Sequence, residues 1–162
     1  SNSSMAGPWR SRQVQAFKPR HSTETEMRNP YRIVIADNHP ATATELRAAL
    51  ETQPDLTVAA AVTCASCSFA AVSAQRPDLV LLNLSMPAYR ILELVNDLVV
   101  LHADLKLLIV SSHEQALETE RVLRAGAHGC VMAASSVAAK INAVRQVLAG
   151  KHCFMPRLAM AA

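Results

Sequence analysis

The sequence predicts an α/β domain in which helices cover both faces of a five-stranded parallel sheet. Short apolar runs alternate five times with longer amphipathic segments between residues 30 and 150. The runs at residues 78–84 and 105–110 are almost continuously apolar, which is typical of strands buried on both faces. Because parallel strands need right-handed crossovers, few topologies remain, and the strand order 2-1-3-4-5 fits best.

The first two strand–helix units are marked by β-branched runs and by prolines. The run Tyr31–Ala36 predicts the first strand, and Pro40 soon after it predicts the first turn of a helix. Leu56–Val62 predicts the second strand. A segment of small residues, Ala65–Gln75, predicts the second helix, which ends before Pro77.

The rest of the domain follows the same alternation. Gly126 and Gly150 come directly after amphipathic segments and predict the ends of two helices. The remaining predicted strands lie at residues 78–84, 105–110 and 128–132, and the remaining predicted helices lie at residues 89–101, 114–125 and 135–149.

Net charge divides the chain into two parts. The net charge of +3 lies in residues 1–29, which hold five basic and two acidic residues, whereas the rest holds eleven of each. We interpret residues 1–29 as a flexible N-terminal extension and residues 30–150 as the folded domain. The folded domain therefore has no basic excess with which to bind nucleic acid.

Composition excludes several further classes of function. Four scattered glycines cannot build a phosphate-binding loop, and 4% aromatic residues are too few for a base-stacking platform. No uncharged apolar run approaches the roughly 18 residues of a membrane span, and no secretory signal is visible. We therefore expect a cytoplasmic protein that does not bind membranes, with its four cysteines reduced.

Polar residues follow the ends of the predicted strands, where ligands of such sheets bind. Asp37 and Asn38 end the first strand, Asn83 ends the third, Ser111 ends the fourth and Ala133 follows the fifth. We expect these positions to meet in one shallow pocket with a single carboxylate. Such a pocket binds Mg²⁺ weakly at Asp37 or not at all, and an amide cannot accept a phosphoryl group as a carboxylate can. The sequence predicts no metal site, cofactor or catalytic residue.

Four segments, in this order and spacing, resemble the receiver domain of bacterial two-component response regulators: RIVIADNHP, RPDLVLLNLSMP, LKLLIVSSH and LRAGAHGCVMA. The similarity is closest to the NarL/FixJ subgroup, whose receivers precede a LuxR-type helix-turn-helix domain, and it covers residues 31–156. The resemblance implies a single flavodoxin-like, CheY-like domain that takes part in two-component signal transduction and transcription regulation. It also implies that residues 151–162 are the start of a C-terminal interdomain linker.

The resemblance also identifies the positions of the phosphorylation site. The acidic pair that ends the first strand corresponds to Asp37 with Asn38, and the phosphate-accepting aspartate corresponds to Asn83. The Ser/Thr that ends the fourth strand is matched by Ser111. The switch aromatic of the fifth strand corresponds to Cys130.

The lysine that pairs with the phosphoryl group corresponds to Ala133, so the pattern departs from the family at several positions. We interpret the chain as a pseudo-receiver, a degenerate and non-enzymatic receiver that acts without phosphorylation. It would act as a homodimer or through a protein or ligand partner, and DNA would be bound only by a downstream helix-turn-helix outside this chain. Alternatives are a small-molecule sensor, an engineered Asp-to-Asn form of a phosphorylatable receiver, and a truncated domain without its own activity.

Two helices are candidate interfaces with a partner. Helix 89–101 is more apolar than one buried stripe requires, which leaves Leu92, Val99 and Val100 nearer solvent unless they pack at its edges. The last helix is the second candidate, at Ile141 and Arg145, through the family resemblance.

Two further motifs are weighed against ordinary structural roles. Cys64 and Cys67 form a C-x-x-C, for which packing at the start of a helix is favoured over redox or metal chemistry. Ser111, Ser112 and His113 suggest a hydrolase, but adjacent residues cannot face one another across a pocket and no nucleophile elbow is present. We therefore disfavour a hydrolase.

Overall fold

The computed structural model describes residues 29–86 and 88–153, without the side chains of residues 88 and 89. Its five strands form one parallel sheet in the order β2-β1-β3-β4-β5, which confirms the predicted topology. The elements are β1 (Tyr31–Ala36), α1 (Pro40–Glu51), β2 (Leu56–Val62), α2 (Ala65–Gln75), β3 (Leu79–Asn83), α3 (Ala88–Leu101), β4 (Lys106–Ser111), a 3₁₀ turn (His113–Gln115), α4 (Ala116–Arg124), β5 (Gly129–Met132) and α5 (Val137–Leu148).

The alternating side chains of the central strands divide the core into two layers. Ile33 and Ile35 of β1 pack in a cluster with apolar residues of α1 and α5. Val34 and Ala36 point to the opposite face, where they pack with apolar residues of α2, α3 and α4. Both faces of the sheet are therefore covered, which explains why its central strands β3 and β4 are almost continuously apolar. No helix in the described part of the chain is long and apolar enough to cross a membrane.

The boundaries of β4 lie one residue later than the sequence predicts. The Leu105 amide donates to the carbonyl of His102 (3.1 Å), so Leu105 belongs to the preceding turn rather than to the sheet. At the other end Ser111 pairs with Met132 of β5 and extends the strand. The strand therefore delivers Ser111 to the edge of the sheet as its last residue.

The last helix is shorter than its predicted range of residues 135–149. Ser136 is the N-cap, and its side chain accepts a hydrogen bond from the Ala139 amide (3.1 Å), which fixes the helix start at Val137. Gly150 follows the helix with φ +89°, as expected for a residue that ends a helix.

The chain after α5 turns back onto the free edge of β5. Gly129 forms a parallel bridge with Cys153, and the Cys130 amide donates to the Cys153 carbonyl at 2.7 Å. A Cβ atom at Gly129 would lie 2.5 Å from that carbonyl oxygen, so only glycine permits this approach. The first residues of the predicted linker thus belong to the folded domain. The predicted extension, except its last residue, and the rest of the linker lie outside the described residues.

His128 lies between the sheet and the returning chain. Its Nδ1 accepts a hydrogen bond from the Leu107 amide (3.1 Å), and its ring stacks on His152 with centroids 6.5 Å apart. Burial, together with the nearby Lys106 and His152, lowers the pKa of His128 below its usual 6.5. The neutral ring is therefore the form that suits the fold, because a protonated Nδ1 cannot accept a hydrogen bond.

We expect the pH dependence of stability on the acidic side to depend on His128. Because its pKa is lowered in the folded state, the unfolded chain binds the proton first, and the free energy of unfolding falls as the pH drops below about 6.5. Denaturant unfolding of His128→Gln should show a shallower fall than the wild type over this range. His113→Gln changes an exposed histidine and should keep the wild-type slope. Equal slopes for wild type and His128→Gln would contradict this assignment.

Candidate functional site

The sheet brings the ends of β1 and β3 together at its carboxyl edge. Ala36 is in register with Leu82, so the residues that follow them, Asp37 and Asn83, lie side by side. Asp37 is only 3% exposed. The Asn83 side-chain amide donates a hydrogen bond from Nδ2 to Asp37 Oδ2 at 3.1 Å. This pair forms the centre of the polar cluster that the sequence predicts at the strand ends.

Each atom of the Asn83 amide has a partner. Its Oδ1 accepts a hydrogen bond from the Ser85 amide (2.9 Å), while its Nδ2 donates to Asp37. The other carboxylate oxygen, Asp37 Oδ1, accepts from the His39 amide at 2.8 Å, with His39 Nδ1 3.5 Å away. Asn83 therefore acts as a donor toward the carboxylate and as an acceptor toward the following turn, a combination that an ionised aspartate could not provide.

A second amide ties the same two loops together. Asn38 Oδ1 accepts a hydrogen bond from the Ser85 hydroxyl, and Asn38 Nδ2 approaches the Ser85 carbonyl at 3.4 Å. Ser85 thus contacts both asparagines. The sequence analysis did not single it out, although its position two residues after Asn83 is the spacing of an Asx turn.

The end of β4 is held by a capping box that the sequence analysis also missed. The Ser112 amide donates to Gln115 Oε1 (2.8 Å), and Gln115 Nε2 donates to the Leu84 carbonyl (2.9 Å). This pattern, serine followed three residues later by glutamine, was visible in the sequence. It explains why a 3₁₀ turn precedes α4, and it fixes the β4 end against the loop after β3.

Ser111 lies at this edge, but its hydroxyl takes no part in the hydrogen-bonded cluster. Its Oγ is buried and has no hydrogen-bond partner among the described residues. Its carbonyl accepts from the Ala133 amide (2.7 Å), and this bond brings the ends of β4 and β5 together. The side chain of His113 is exposed and makes no hydrogen bond to the Ser111 hydroxyl, so this histidine does not activate the serine as a hydrolase would require.

Cys130 does not belong to the polar edge. It is buried and packs in the apolar cluster beneath α3 and α4, where it fills space as a small hydrophobic residue. Ala133, by contrast, is exposed. Thus Cys130, at the position of the switch aromatic, is a core residue, and Ala133, at the position of the lysine, has only a methyl side chain.

The donor set at this edge does not fit Mg²⁺. Asp37 is the only carboxylate of the cluster, and both of its oxygens already accept hydrogen bonds. The carbonyl oxygens of Asn38 and Asn83 are likewise engaged by Ser85. Within residues 29–86 and 88–153, no three His, Cys, Asp or Glu side chains form a group that could hold a metal ion. Magnesium usually needs carboxylates and phosphate oxygens that are free to coordinate it.

A cavity of about 340 Å³ lies beside the polar cluster and shares Asn38 with it. Arg90 supplies a cationic side chain to its wall. The cavity is lined by Asn38, Thr63, Cys64, Ala65, Ser66, Met86 and Arg90.

The expectation of four reduced cysteines was wrong, because the two cysteines of the C-x-x-C motif are bonded to each other. Cys64 and Cys67 form a disulfide, with their Cα atoms 5.1 Å apart, at the start of α2. Cys64 is also the N-cap of this helix, so packing at a helix start describes only part of its role. A separation of three residues at a helix N-terminus brings the two sulfurs within bonding distance, which spacing alone could have suggested. Cys130 and Cys153 are outside this disulfide.

Only one of the predicted interface residues on α3 is fully at the surface. Val100 is 77% exposed. Leu92 and Val99 are half-buried and pack against the core, and Val99 is in close contact with Gly126 beyond α4. Leu92 and Val99 therefore pack at the edges of α3, as the alternative stated above expects, because neighbouring helices cover these edges.

The two residues of the predicted interface on α5 both make contacts within the domain. Ile141 is buried in the core between the sheet and α5, so it cannot contact a partner. Arg145 forms a bidentate ion pair with Asp55, with nitrogen–oxygen distances of 3.0 and 2.7 Å, and also contacts Gln53. Hydrogen bonding to Asp55 raises the pKa of Arg145. This residue therefore ties α5 to the loop before β2 within one chain.

A doubly wound parallel sheet in this strand order is the flavodoxin-like architecture, in which ligand sites lie at the carboxyl ends of the strands. Residues 33–145 match the family described as response regulator receiver domain. The match covers more than half of the chain, which therefore belongs to this family.

Comparison with individual proteins agrees with this assignment. The chain is 28% identical over 130 residues to the transcriptional regulatory protein DegU of Brevibacillus brevis, an alignment that spans 80% of this chain and 55% of DegU. It is also 28% identical over 128 residues to the response regulator GacA of Pseudomonas viridiflava, spanning 79% of this chain and 60% of GacA. The chain thus spans little more than half the length of these two relatives.

Solved structures show the same fold. The crystal structure of a two-component response regulator of the LuxR family from Aurantimonas sp. SI85-9A1 superposes with a TM-score of 0.74 at 25% identity. The alignment covers 82% of this chain and 94% of that one. The predicted CheY-like fold and the similarity to LuxR-family receivers are thereby confirmed.

We expect Asn83→Asp to destabilise the domain at neutral pH. The substitution removes the donor to Asp37 and places a second carboxylate about 3.1 Å from the first. Lost hydrogen bonding and charge repulsion should lower the free energy of unfolding by about 1–3 kcal/mol at pH 7 without divalent cations. The loss should shrink toward about pH 4, where protonation of one carboxyl restores a donor.

Asn96→Asp provides the matched control for this measurement. It makes the same chemical change on the exposed side of α3 and should alter stability by less than about 0.5 kcal/mol. Denaturant unfolding of both variants at several pH values checks the expectation. If Asn83→Asp is as stable as Asn96→Asp at pH 7, the hydrogen bond to Asp37 does not have the role assigned to it.

Proposed function

We propose that this chain is a phosphorylation-independent receiver domain of a LuxR-type transcriptional response regulator. The observation that carries the proposal is the hydrogen bond from the Asn83 amide to Asp37, at the position where the family resemblance implies a phosphate-accepting aspartate. An amide at this position is uncharged and donates a hydrogen bond to Asp37, whereas a carboxylate here could react with a phosphodonor.

The chemistry of phosphoryl transfer supports the proposal. An acceptor oxygen must attack phosphorus and carry the new bond, and a carboxylate oxygen does this far better than an amide oxygen. The amide oxygen of Asn83 is moreover engaged by the Ser85 amide. The remaining carboxylate, Asp37, is buried and accepts two hydrogen bonds, so it is not presented to a phosphodonor.

The positions that would transmit phosphorylation also support it. At Ala133 there is a methyl group in place of a lysine that could pair with a phosphoryl group. At Cys130 a small residue packed in the core replaces an aromatic ring that could change position. The acceptor and the cation that would pair with its phosphoryl group are thus absent together. We therefore propose natural degeneracy rather than a single engineered substitution.

A receiver without phosphotransfer acts by binding, and we propose self-association or a protein partner as its mode of action. DegU is described as a transcriptional regulatory protein, and the Aurantimonas protein as a LuxR-family regulator. This chain covers 55% of DegU, so we propose that DNA is bound by a helix-turn-helix domain encoded beyond the aligned region. A role in transcription would place the protein in the cytoplasm.

The cavity beside Asn38 favours a second candidate function, a small-molecule sensor. Its volume of about 340 Å³ suits a small ligand, and Thr63, Ser66 and Arg90 give its wall hydrogen-bonding groups. In this version ligand binding replaces phosphorylation as the input signal. Thermal unfolding in the presence of metabolites would separate the two candidates, because only a sensor is stabilised by a specific compound.

Treatment with acetyl phosphate and Mg²⁺, followed by intact-mass measurement, tests the proposal. We expect no phosphoryl adduct on the wild-type chain, because Asp37, the carboxylate at the site, is buried and accepts two hydrogen bonds. We also expect none on Asn83→Asp. Asn38 is not the second carboxylate of the family's acidic pair, and Ala133 is not the lysine that pairs with the phosphoryl group. An adduct on the wild type would overturn the proposal, and an adduct on Asn83→Asp alone would support an engineered form of a working receiver.

A further inference from the structure

The disulfide between Cys64 and Cys67 lies at a position that suits reversible chemistry. Cys64 is the N-cap of α2 and is half-buried, whereas Cys67 in the first turn is exposed to solvent. Reagents in solution can therefore reach the bond directly. The other two cysteines differ: Cys130 is buried in the core, and burial raises the pKa of Cys153.

Once the disulfide is open, the groups at the start of α2 would favour Cys64 as a thiolate. The Cys67 amide lies 3.1 Å from Cys64 Sγ and donates to it, and the Ser66 hydroxyl lies 3.4 Å from the same sulfur. The helix N-terminus adds a partial positive charge. Thiolates are the nucleophiles of thiol–disulfide exchange, and such surroundings favour them.

The helix start does not depend on the disulfide. The Ser68 amide and hydroxyl both donate to the Cys64 carbonyl, at 2.9 and 2.8 Å, and Ser68 is fully buried. A disulfide that closes so short a loop also restricts the unfolded chain much less than one that closes a long loop. Opening the bond would therefore free two side chains while the backbone of α2 keeps its place.

The geometry points to Cys64 and Cys67 as a reversible thiol–disulfide site that exchanges with low-molecular-weight thiols and alters the cavity beside Asn38. Cys64 belongs to the wall of that cavity together with Asn38 and Thr63, so a free thiol or a mixed disulfide there changes its lining. Asn38 in turn is bonded to Ser85 of the polar cluster. This inference does not rest on the proposed function.

The exchange balances without any further reactant. In the oxidising direction the Cys64 thiolate attacks a disulfide such as glutathione disulfide, forms a mixed disulfide and releases one glutathione thiolate. The Cys67 thiolate then attacks Cys64 Sγ, forms the Cys64–Cys67 bond and releases the second glutathione. Two protein thiols are oxidised by two electrons, and one glutathione disulfide is reduced to two glutathione molecules, which take up the two protons. Reduction is the reverse sequence.

Equilibration of the whole chain in mixtures of reduced and oxidised glutathione tests the site. After acid quenching and denaturing alkylation, intact mass should show four alkylated cysteines in reducing mixtures and two in oxidising ones, with a continuous transition between them. Two alkylated cysteines in every mixture would identify a permanent structural bond and overturn the proposal. Four in every mixture would overturn it equally.

Two variants assign the transition to this pair. Cys67→Ser should accumulate one glutathione on Cys64, because the resolving thiol is lost, and peptide mapping locates the adduct. Cys153→Ser should keep the full transition, with one fewer alkylated cysteine throughout. A glutathione adduct located on Cys153 in the Cys67→Ser chain, with Cys64 unmodified, would contradict the assignment.

Amide ¹H–¹⁵N NMR spectra of the reduced and oxidised chain test the effect on the cavity. We expect the signals of Asn38 and Thr63 to shift with redox state, whereas that of Leu148 on α5 stays unchanged. If the signal of Asn38 remains in place while only α2 responds, the proposed coupling to the cavity is wrong.

Discussion

The hydrogen bond from Asn83 to Asp37 is the constraint around which the carboxyl edge of the sheet is arranged. The Asn83 amide supplies the hydrogen-bond donor that the buried carboxylate beside β3 needs. The same amide accepts from Ser85, and Ser85 contacts Asn38. Hydrogen bonds between uncharged side chains and Ser85 thereby join the loops after β1 and β3, and no ion pair is involved in these contacts.

This arrangement follows from the register of the central strands. Because Ala36 pairs with Leu82, the next residue of each strand emerges at the same level, and Asp37 and Asn83 must face each other. Two carboxylates at these positions would repel unless a cation separated them. An amide at position 83 removes that requirement, and the alanine at position 133 leaves no cation without a partner. The chemistry at one edge thus accounts for two substitutions together, Asn83 at the end of β3 and Ala133 after β5.

Much of this could be predicted from the sequence. The apolar runs and their spacing determined the five strands and their order, since burial on both faces leaves a continuous hydrophobic signal. The meeting of Asp37, Asn38 and Asn83 followed from topology alone. The hydrogen-bond partners of these residues did not follow from topology. Ser85 and Gln115 are ordinary turn residues in the sequence, and only the folded loops show which atoms they contact. Element ends shifted by one or two residues where a local cap, such as Ser136, decided the boundary.

Surfaces and sulfur were the features least predictable from the sequence. Half-buried residues such as Val99 cannot be distinguished from exposed ones by helical periodicity, because neighbouring helices decide which edge of α3 is covered. Arg145 has the pattern of a surface charge, yet its partner Asp55 lies 90 residues away in the chain. The disulfide was missed because cysteine chemistry was inferred from the expected compartment instead of from the geometry of a helix N-terminus.

The account is tested most directly by the side-chain amide signals of Asn83 in ¹H–¹⁵N NMR spectra, recorded with and without excess Mg²⁺. We expect its amide protons to exchange slowly with solvent, as a donor bonded to a buried carboxylate should, and to keep their chemical shifts when Mg²⁺ is added. Rapid exchange would show that the hydrogen bond to Asp37 is not maintained. A saturable shift on adding Mg²⁺ would show that the carboxyl edge still binds a divalent cation, as a working receiver site does, and would contradict the closed cluster described above.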